Sequence, residues 1–298
     1  MKATDAEIAS QPDTWQFALS RAIELGTALT APGERVLAIG CGTSAFVAQS
    51  YAWLRETAGL GETDAAYPSE LPATRRYDRV VAITRSGTTT EILDALSRMP
   101  AGTTRVAITA HDGEAVDDLV DERIVLDFAD ERSIVQTRFP TTVLALVRAA
   151  IGDGGMRVVD DGRAALTLEL PVLPEEFEHF VFLGTGWTIG LAHEAALKIR
   201  EMAEGWSESY PAMDFRHGPM AAAGPRTLVW MFGQPPAAVA EAAAEAGASF
   251  YHDRLDPLAQ LVLVQRLALR LAEHRGLDPD RPRLLTRSVV LTPYGGAP

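Results

Sequence analysis

The chain alternates short runs of apolar residues with longer segments that carry apolar residues on one side only. Residues 36–39 form an apolar run that is too short for a helix, and Gly40 and Gly42 follow it directly. Such runs, bounded by turn residues and separated by helical segments, are typical of strands buried on both faces of a parallel sheet. The pattern predicts an α/β protein in which helices cover a parallel sheet.

The first half of the chain contains several of these strand-and-helix steps. Residues 1–34 are predicted to be helical, up to the break at Pro32 and Gly33. Strands are then predicted at residues 36–39, 79–84, 105–109 and 123–126, and helices at residues 45–57, 90–99 and 141–151.

The same pattern restarts after residue 165. Apolar runs at residues 180–184, 228–233 and 248–251 and a helix at 258–274 repeat the first half at an offset of about 145 residues, which indicates internal duplication. The predicted fold class is α/β, with two tandem doubly wound, flavodoxin-like parallel-sheet halves. Its predicted parts are a helical segment at 1–34, a first half at 35–155 and a second half at 165–298.

Charge and composition narrow the possible functions. The net charge of −13 opposes nucleic acid, because DNA binding depends on neutralising phosphates with Lys and Arg. No apolar run approaches the roughly 20 residues of a membrane helix, and the first residues lack the apolar segment of a signal peptide. Cys41 is the single cysteine, which fits a reducing compartment. We therefore expect a cytoplasmic protein without nucleic acid or membrane partners.

Two turns rich in glycine and hydroxyl residues follow neighbouring predicted strands. We call residues 40–44 the first loop and residues 84–90 the second loop. Free N–H groups at a helix N-terminus, together with hydroxyls, bind phosphate, and neighbouring strand ends converge on one crevice. Ser and Thr are also ordinary N-cap residues, which is the alternative interpretation. The candidate binding residues are Cys41, Gly42, Thr43 and Ser44 in the first loop and Thr84, Arg85, Ser86 and Thr89 in the second.

The glycine spacing of these loops excludes two common nucleotide sites. The first loop lacks the third glycine of a dinucleotide-binding fingerprint, and neither loop continues into the Gly-Lys-Ser/Thr of a Walker A loop. An oxidoreductase of the Rossmann type is therefore excluded.

Glu194, Lys198 and Glu201 share one face of the helix predicted at residues 190–204, because they are spaced i, i+4 and i+7. One interpretation is a solvated face of ion pairs. The other is a carboxylate whose proton affinity is tuned by a neighbouring ammonium group and a buried cleft.

Histidine supplies the second type of acid–base group. His217 precedes Gly218 and Pro219, a turn that could aim its ring, and imidazole titrates near neutral pH. A Glu and a His suffice to open a sugar ring and to move a proton between C1 and C2, so we expect no metal and no cofactor. His111 and His193 are weaker candidates for which the sequence indicates no partner.

Four motifs in chain order resemble the SIS (sugar isomerase) family over almost the whole chain. They are Cys-Gly-Thr-Ser at 41–44, the Ser-x-Ser-Gly-x-Thr type of loop at 84–89, Glu-x-Ala-Leu-Lys-x-x-Glu at 194–201 and Arg-His-Gly-Pro at 216–219. The resemblance is closest to the isomerase portion of glucosamine-6-phosphate synthase and to stand-alone AgaS-type amino-sugar-phosphate deaminase/isomerases.

The resemblance implies a role for each matching residue. Glu201 would move the proton between C1 and C2, Glu194 and Lys198 would shape the pocket, and His217 would open the ring, in its own or a neighbouring subunit's site. A homodimer with the site near the subunit interface follows. The implied phosphate contacts come from Thr43, Ser44, Thr84, Ser86 and Thr89.

Three departures from the family pattern matter. No glutaminase domain and no Cys at position 2 are present, so we expect no glutaminase activity. Arg287 stands where the synthase has a lysine, and a guanidinium stays protonated and forms no Schiff base. Gln136 replaces a phosphate-binding serine and can still donate a hydrogen bond.

The expected function is an enzyme that binds a phosphosugar. It would be an aldose–ketose isomerase or an amino-sugar-6-phosphate deaminase/isomerase that acts through an enediol or enediolamine at C1–C2. The alternative is a sensor that binds the phosphosugar without converting it. The identity of the sugar stays open.

Overall fold

Two parallel sheets form the framework of the chain. The computed structural model describes residues 2–291, so the last part of the predicted second half, residues 292–298, lies outside it. The strands are β1 Val36–Gly40, β2 Thr63–Ala66, β3 Arg79–Ile83, β4 Thr104–Thr109, β5 Glu122–Val125, β6 His179–Gly184, β7 Trp206–Pro211, β8 Thr227–Met231 and β9 Ser249–His252.

The two sheets have matching strand orders. The first is β2-β1-β3-β4-β5 and the second is β7-β6-β8-β9. All neighbouring strands are parallel, with Gly40 opposite Ile83 in the first sheet and Leu183 opposite Met231 in the second. The predicted fold class, two parallel-sheet α/β halves, is confirmed.

The helices lie between and outside the sheets. They are α1 Ala3–Ala9, α2 Gln11–Ser20, α3 Ala22–Leu25, α4 Thr27–Thr30, α5 Thr43–Thr57, α6 Thr90–Ser97, α7 Arg138–Ala150, α8 Met156–Thr167, α9 Thr188–Ala203, α10 Ala237–Glu245 and α11 Pro257–His274. None of the helices within residues 2–291 is both long and apolar enough to cross a bilayer.

One apolar core joins the two halves. Helices α2, α5, α7, α8, α9 and α11 contribute to it, together with the inward-facing residues of both sheets, such as Val81 and Phe180. The outward-facing residues form two smaller cores, one under α6 and one under α10. Because side chains alternate along a strand, each apolar strand supplies both a central and an outer core.

The elements predicted from the sequence omit β2, β7, α8 and α10, and for the first three the physical reason is clear. Strand β2 reads Thr-Asp-Ala-Ala and strand β7 contains Ser, Glu and Pro, because each is an edge strand that needs no continuous apolar run. Helix α8 contains Gly162, a poor helix former, which packs so tightly on Trp15 that a Cβ there would lie 2.5 Å from the ring.

The constant offset of the repeat also fails at its last element. In the described residues the second sheet has four strands where the first has five, so α11 follows β9 without a counterpart of β5. The helix that closes the second half therefore comes earlier in the chain than the offset predicts.

Helices α5 and α9 pack against each other in antiparallel directions. Lys198 near the end of α9 reaches Thr43 at the start of α5, with 3.3 Å between Nζ and Oγ1. At the other end, the hydroxyl of Ser50 donates to the carbonyl of Trp187 at 2.8 Å. Gly190 allows this approach, because a Cβ there would lie 2.2 Å from Ser50 Oγ. The packing places the end of α9 beside the first loop.

Candidate active site

The first and second loops meet at the carboxyl edge of the first sheet. Residues of both loops line a crevice of about 30 Å³, together with Gln136 and Arg287. Gly42 has a φ of +54°, a conformation that favours glycine and that turns the chain into α5. The predicted binding residues that line the crevice are Cys41, Ser44, Thr84, Arg85, Ser86, Thr89, Gln136 and Arg287.

Several polar atoms at this crevice have no partner in the described residues. Thr84 Oγ1, Arg85 Nε and Gln136 Oε1 are buried and make no hydrogen bond. An unsatisfied buried polar group costs about 1–3 kcal/mol, so three such atoms around one crevice indicate a place for a polar ligand.

The C-terminal segment, residues 286–291, crosses the second loop. The hydroxyl of Ser86 donates to Ser288 Oγ at 3.1 Å, and Thr88 Oγ1 lies 3.0 Å from the same atom. The backbone N–H of Thr90 donates to the carbonyl of Val289 at 3.2 Å. Ser288 thus adds a hydroxyl to those of the second loop. The sequence did not predict this contact, because the two segments are far apart in the chain.

Arg287 is held by the first half. Its Nη2 lies 2.5 Å from Asp130 Oδ1 and 2.8 Å from His111 Nε2, and its Nη1 donates to the carbonyl of Glu131. His111 also lies 3.0 Å from Asp130. The sequence indicated no partner for His111, because no local pattern marks contacts between such distant segments, and the structure supplies two, Arg287 and Asp130.

Arg85 connects the second loop to neighbouring segments. Its Nη1 donates to the carbonyl of Ser133 at 3.0 Å, and its Nη2 donates to the carbonyl of Arg287 at 3.1 Å. Its side chain is almost completely buried and lies 3.7 Å from the carboxylate of Glu131. Both terminal nitrogens are thus used within the protein, and Nε is the atom left to face a ligand.

Cys41 is a neutral thiol in this crevice. Burial, and to a lesser degree the charge of Glu91, raise the pKa of Cys41 to about 11. The thiolate is the nucleophilic form of cysteine, so Cys41 can line the crevice but is unsuited to nucleophilic chemistry at neutral pH.

Helix α9 brings a buried charge cluster to the first loop. Lys198 Nζ lies 3.2 Å from Glu194 Oε1 and 2.5 Å from Glu201 Oε2, and it donates to Thr43 Oγ1. The side chains of Lys198 and Glu194 are 0% and 4% exposed, whereas that of Glu201 is 18% exposed. The interpretation as a solvated ion-paired face is therefore wrong, and Glu201 is the member that solvent or a ligand reaches.

The environment shifts the proton affinities of this cluster. Burial raises the pKa of Glu194 to about 7, although the charge of Lys198 acts in the opposite direction. Burial alone would lower the pKa of Lys198, but the two carboxylates outweigh burial and raise it. Lys198 is therefore a permanent ammonium group beside two carboxylates, one of which titrates near neutral pH.

The raised pKa of Glu194 predicts a pH-dependent stability. The folded state binds this proton more tightly than the unfolded chain, so the contribution of Glu194 to stability is largest below about pH 4.5 and is lost as the pH rises through 7. The shift corresponds to about 3 kcal/mol.

We expect Glu194→Gln to remove most of this decrease in stability with pH, measured by urea unfolding between pH 5 and pH 8. The exposed Glu241→Gln should keep the wild-type profile, and a Glu194→Gln profile that also matches the wild type would contradict the assignment.

His217 lies elsewhere in the chain. Glu201 comes just before β7 and the exposed His217 comes after it, and the six residues of β7 span about 20 Å. Strand β7 thus separates His217 from the charge cluster along the chain, and the hydrogen bonds and ion pairs of the cluster within residues 2–291 do not involve His217. His193 is also apart from the cluster, with its Nδ1 2.8 Å from Ser209 Oγ.

The equivalent loop of the second half, residues 184–188, is used internally. Thr188 Oγ1 accepts a hydrogen bond from the N–H of Thr185 at 2.9 Å. The ring of Trp53 lies against Gly186, so closely that a Cβ at that position would be 2.7 Å from Nε1. The duplicated halves thus differ at the position where the first half has its crevice.

Metal ligands do not cluster in the part of the chain that the structure describes. No group of three or more His, Cys, Asp or Glu side chains within residues 2–291 could hold a metal ion.

Known structures share this architecture. Glucosamine-6-phosphate deaminase from Thermotoga maritima superposes with a TM-score of 0.79 and 23% identity, covering 97% of this chain and all of that one. Tagatose-6-phosphate ketose/aldose isomerase from Escherichia coli gives a TM-score of 0.79 and 22% identity, covering 99% of this chain and 97% of that one. The fold is that of the phosphosugar isomerases.

Comparison of the sequence with curated proteins finds relatives that act on sugar phosphates by name. Glutamine–fructose-6-phosphate aminotransferase [isomerizing] from Gloeobacter violaceus is 26% identical over 90% of this chain and 53% of its own length. A protein of the same name from Thermus thermophilus is 28% identical over 90% of this chain and 54% of its own. The chain thus spans about half the length of these curated relatives. No model of a known protein family matches the chain. The resemblance to the SIS family is confirmed by the relatives and the fold together.

Proposed function

We propose that the chain binds a 6-phosphorylated sugar or amino sugar and moves a proton between C1 and C2. It would act as an aldose–ketose isomerase or as an amino-sugar-6-phosphate deaminase/isomerase. The observation that carries this proposal is the buried Glu194–Lys198–Glu201 cluster, which contacts the first loop through Thr43, the residue beside Ser44 of the crevice. An anion site and an acid–base group within the reach of one small molecule fit this chemistry.

The phosphate would occupy the crevice between the two loops. The start of α5 supplies the positive end of a helix dipole, and Ser44, Ser86 and Thr89 supply hydroxyls. Such a site holds an anion although the whole chain has a net charge of −13. A phosphate held there would direct C1 and C2 of the sugar toward the end of α9.

Glu201 would carry the proton. Its carboxylate takes the hydrogen from C2 of an aldose, the C–H electron pair forms the C1=C2 double bond of an enediol, and the C1 oxygen gains a proton. Return of the carried proton to C1, with loss of the O2 proton, gives the ketose. In an amino sugar the same shift gives a C2 imine, which water hydrolyses to the ketose and ammonia. The ammonium group of Lys198 stabilises the negative charge that develops on oxygen.

A second copy of the chain would supply the group that opens the ring. His217 is exposed, and β7 lies between it and Glu201 along the chain. We therefore include a homodimer in the proposal, in which the Arg216–Pro219 turn of each subunit faces the crevice of the other.

Two measurements test the proposed function. Thermal shifts against a panel of hexose- and hexosamine-6-phosphates would identify the ligand, and NMR in heavy water would follow exchange of the C1 and C2 hydrogens. Isomerisation and release of ammonia distinguish the two reactions. A ligand that stabilises the chain but shows no exchange would instead support the sensor, and the absence of any stabilising sugar phosphate would contradict both functions.

Ser86 provides a direct test of the phosphate site. We expect Ser86→Ala to weaken binding of the sugar phosphate by about tenfold to a hundredfold, because it removes a hydrogen bond to a charged group. Affinity for the unphosphorylated sugar should hardly change. Calorimetry on both ligands would measure the difference, with the exposed Ser97→Ala on the adjacent helix as a control. Equal losses for the two ligands would argue against a phosphate at this loop.

A further inference from the structure

A second and larger cavity lies on the outer side of the first sheet. Its volume is about 310 Å³, compared with about 30 Å³ for the crevice of the proposed active site. Leu37 near the start of β1 forms part of its wall, as do the segments that precede β3 and β4. The hydroxyl loops follow the opposite ends of these strands, about 15 Å away, so the two cavities are separate. We call the larger one the arginine pocket.

The arginine pocket has a positive wall. Arg75, Arg76 and Arg98 line it, and no Asp or Glu does. Arg75 is paired with Asp64 at 2.8 Å. Among residues 2–291, Arg76 forms no ion pair, and Arg98 donates from Nε to the carbonyl of Asp94 at 3.0 Å without contacting a carboxylate.

Two guanidinium groups without a carboxylate partner in the described part of the chain thus line one cavity. The chain carries 40 acidic residues against 27 basic ones, so carboxylates are abundant as partners. Arginine forks bind phosphate in a bidentate manner, and a concave wall concentrates their field. The charge of the pocket therefore points to an anionic ligand.

Part of the lining of the arginine pocket is apolar. Leu37, Leu71 and Met99 form this floor, and the ring of Tyr77 stands at its side with its hydroxyl bound to Asp64 at 2.7 Å. The hydroxyl of Tyr77 is thus occupied, and Arg35 lies over its ring at 5.4 Å from the centroid, so the part of the ring that lines the cavity offers carbon atoms to a ligand. An inorganic anion would leave this floor uncovered, whereas a flat organic ring would cover it and stack on Tyr77.

We propose that the arginine pocket binds a small organic phosphate with a flat ring, of the class of the nucleoside monophosphates. The phosphate would lie between Arg76 and Arg98, and the ring would cover Leu37, Leu71 and Met99. The volume is at the lower end of the range for ligand pockets, which suits a mononucleotide.

Calorimetry on the full chain tests this proposal with adenosine and uridine 5′-monophosphates as probes. We expect saturable binding of at least one nucleotide, and binding at least about tenfold weaker in the Arg76→Ala/Arg98→Ala double variant. Adenosine, uridine and inorganic phosphate should each bind far more weakly than the nucleotides. The exposed Arg157→Ala on α8, in another part of the chain, is the matched control and should bind as the wild type does.

A second variant separates the two cavities. Ser86→Ala should leave nucleotide binding unchanged, and the double arginine variant should keep the wild-type thermal shift with sugar phosphates. The proposal is overturned if neither nucleotide binds at up to about 5 mM, if the double variant binds equally well, or if Ser86→Ala abolishes binding. All of the substituted arginines are exposed, so the variants are expected to fold.

Discussion

Replacing Glu201 by Gln is expected to lower kcat by about a thousandfold while the sugar phosphate still binds within a few-fold of its wild-type affinity. The amide has almost the same shape as the carboxylate and can still accept a hydrogen bond from Lys198, but it cannot take up the C2 proton. Steady-state kinetics would give kcat, and calorimetry would give the affinity of the same ligand.

Two results would count against this role of Glu201. Full activity of the variant would show that another group carries the proton. A parallel loss of binding and turnover would show that Glu201 holds the ligand without serving as the base. Glu241→Gln, an exposed substitution on α10, is the control for a change of one charge.

Lys198→Met should have the largest effect on stability. Lys198 is one of only two lysines in the chain and is completely buried between Glu194 and Glu201. Removing one partner of a buried ion pair costs about 3–5 kcal/mol, because the remaining charge is left uncompensated. We expect that loss at pH 8, measured by urea unfolding.

The pH dependence of this loss identifies its cause. Without the ammonium group, Glu194 has an even higher pKa, so it is neutral at pH 5.5 and the loss should be much smaller there. The double variant Lys198→Met/Glu194→Gln should recover part of the stability at pH 8. A loss that is the same at both pH values, with no recovery in the double variant, would indicate lost packing instead of an uncompensated charge.

The strands and loops of the first half could be predicted because their signals are local. Residues 36–39 are apolar since β1 is buried on both faces, and the loop residues 41–44 follow at once. The convergence of this loop with residues 84–90 follows from parallel topology alone. Strands β2 and β7 have no such signal. Each is an edge strand with a neighbouring strand on one side only, so it needs no continuous apolar run.

The rest of the site depends on contacts between distant segments. The bond between Lys198 and Thr43 exists because Gly190 lets α5 and α9 approach, and no helical periodicity shows which helix lies opposite. The same is true of Ser288 beside Ser86 and of Asp130 beside Arg287. The face of α9 was predictable, but whether that face was solvated or buried was not.

The contact between Trp53 and Gly186 makes the two duplicated halves of the chain unequal. A protein built from two similar halves starts with two equivalent positions for a crevice, one at the carboxyl edge of each sheet. Here the half-exposed indole of Trp53 lies against Gly186 in the second half, and helix α9 of that half contributes Lys198 to the first loop. The two halves are therefore not equivalent: the first carries the crevice between its loops, and the second contributes a buried charge cluster beside the first loop.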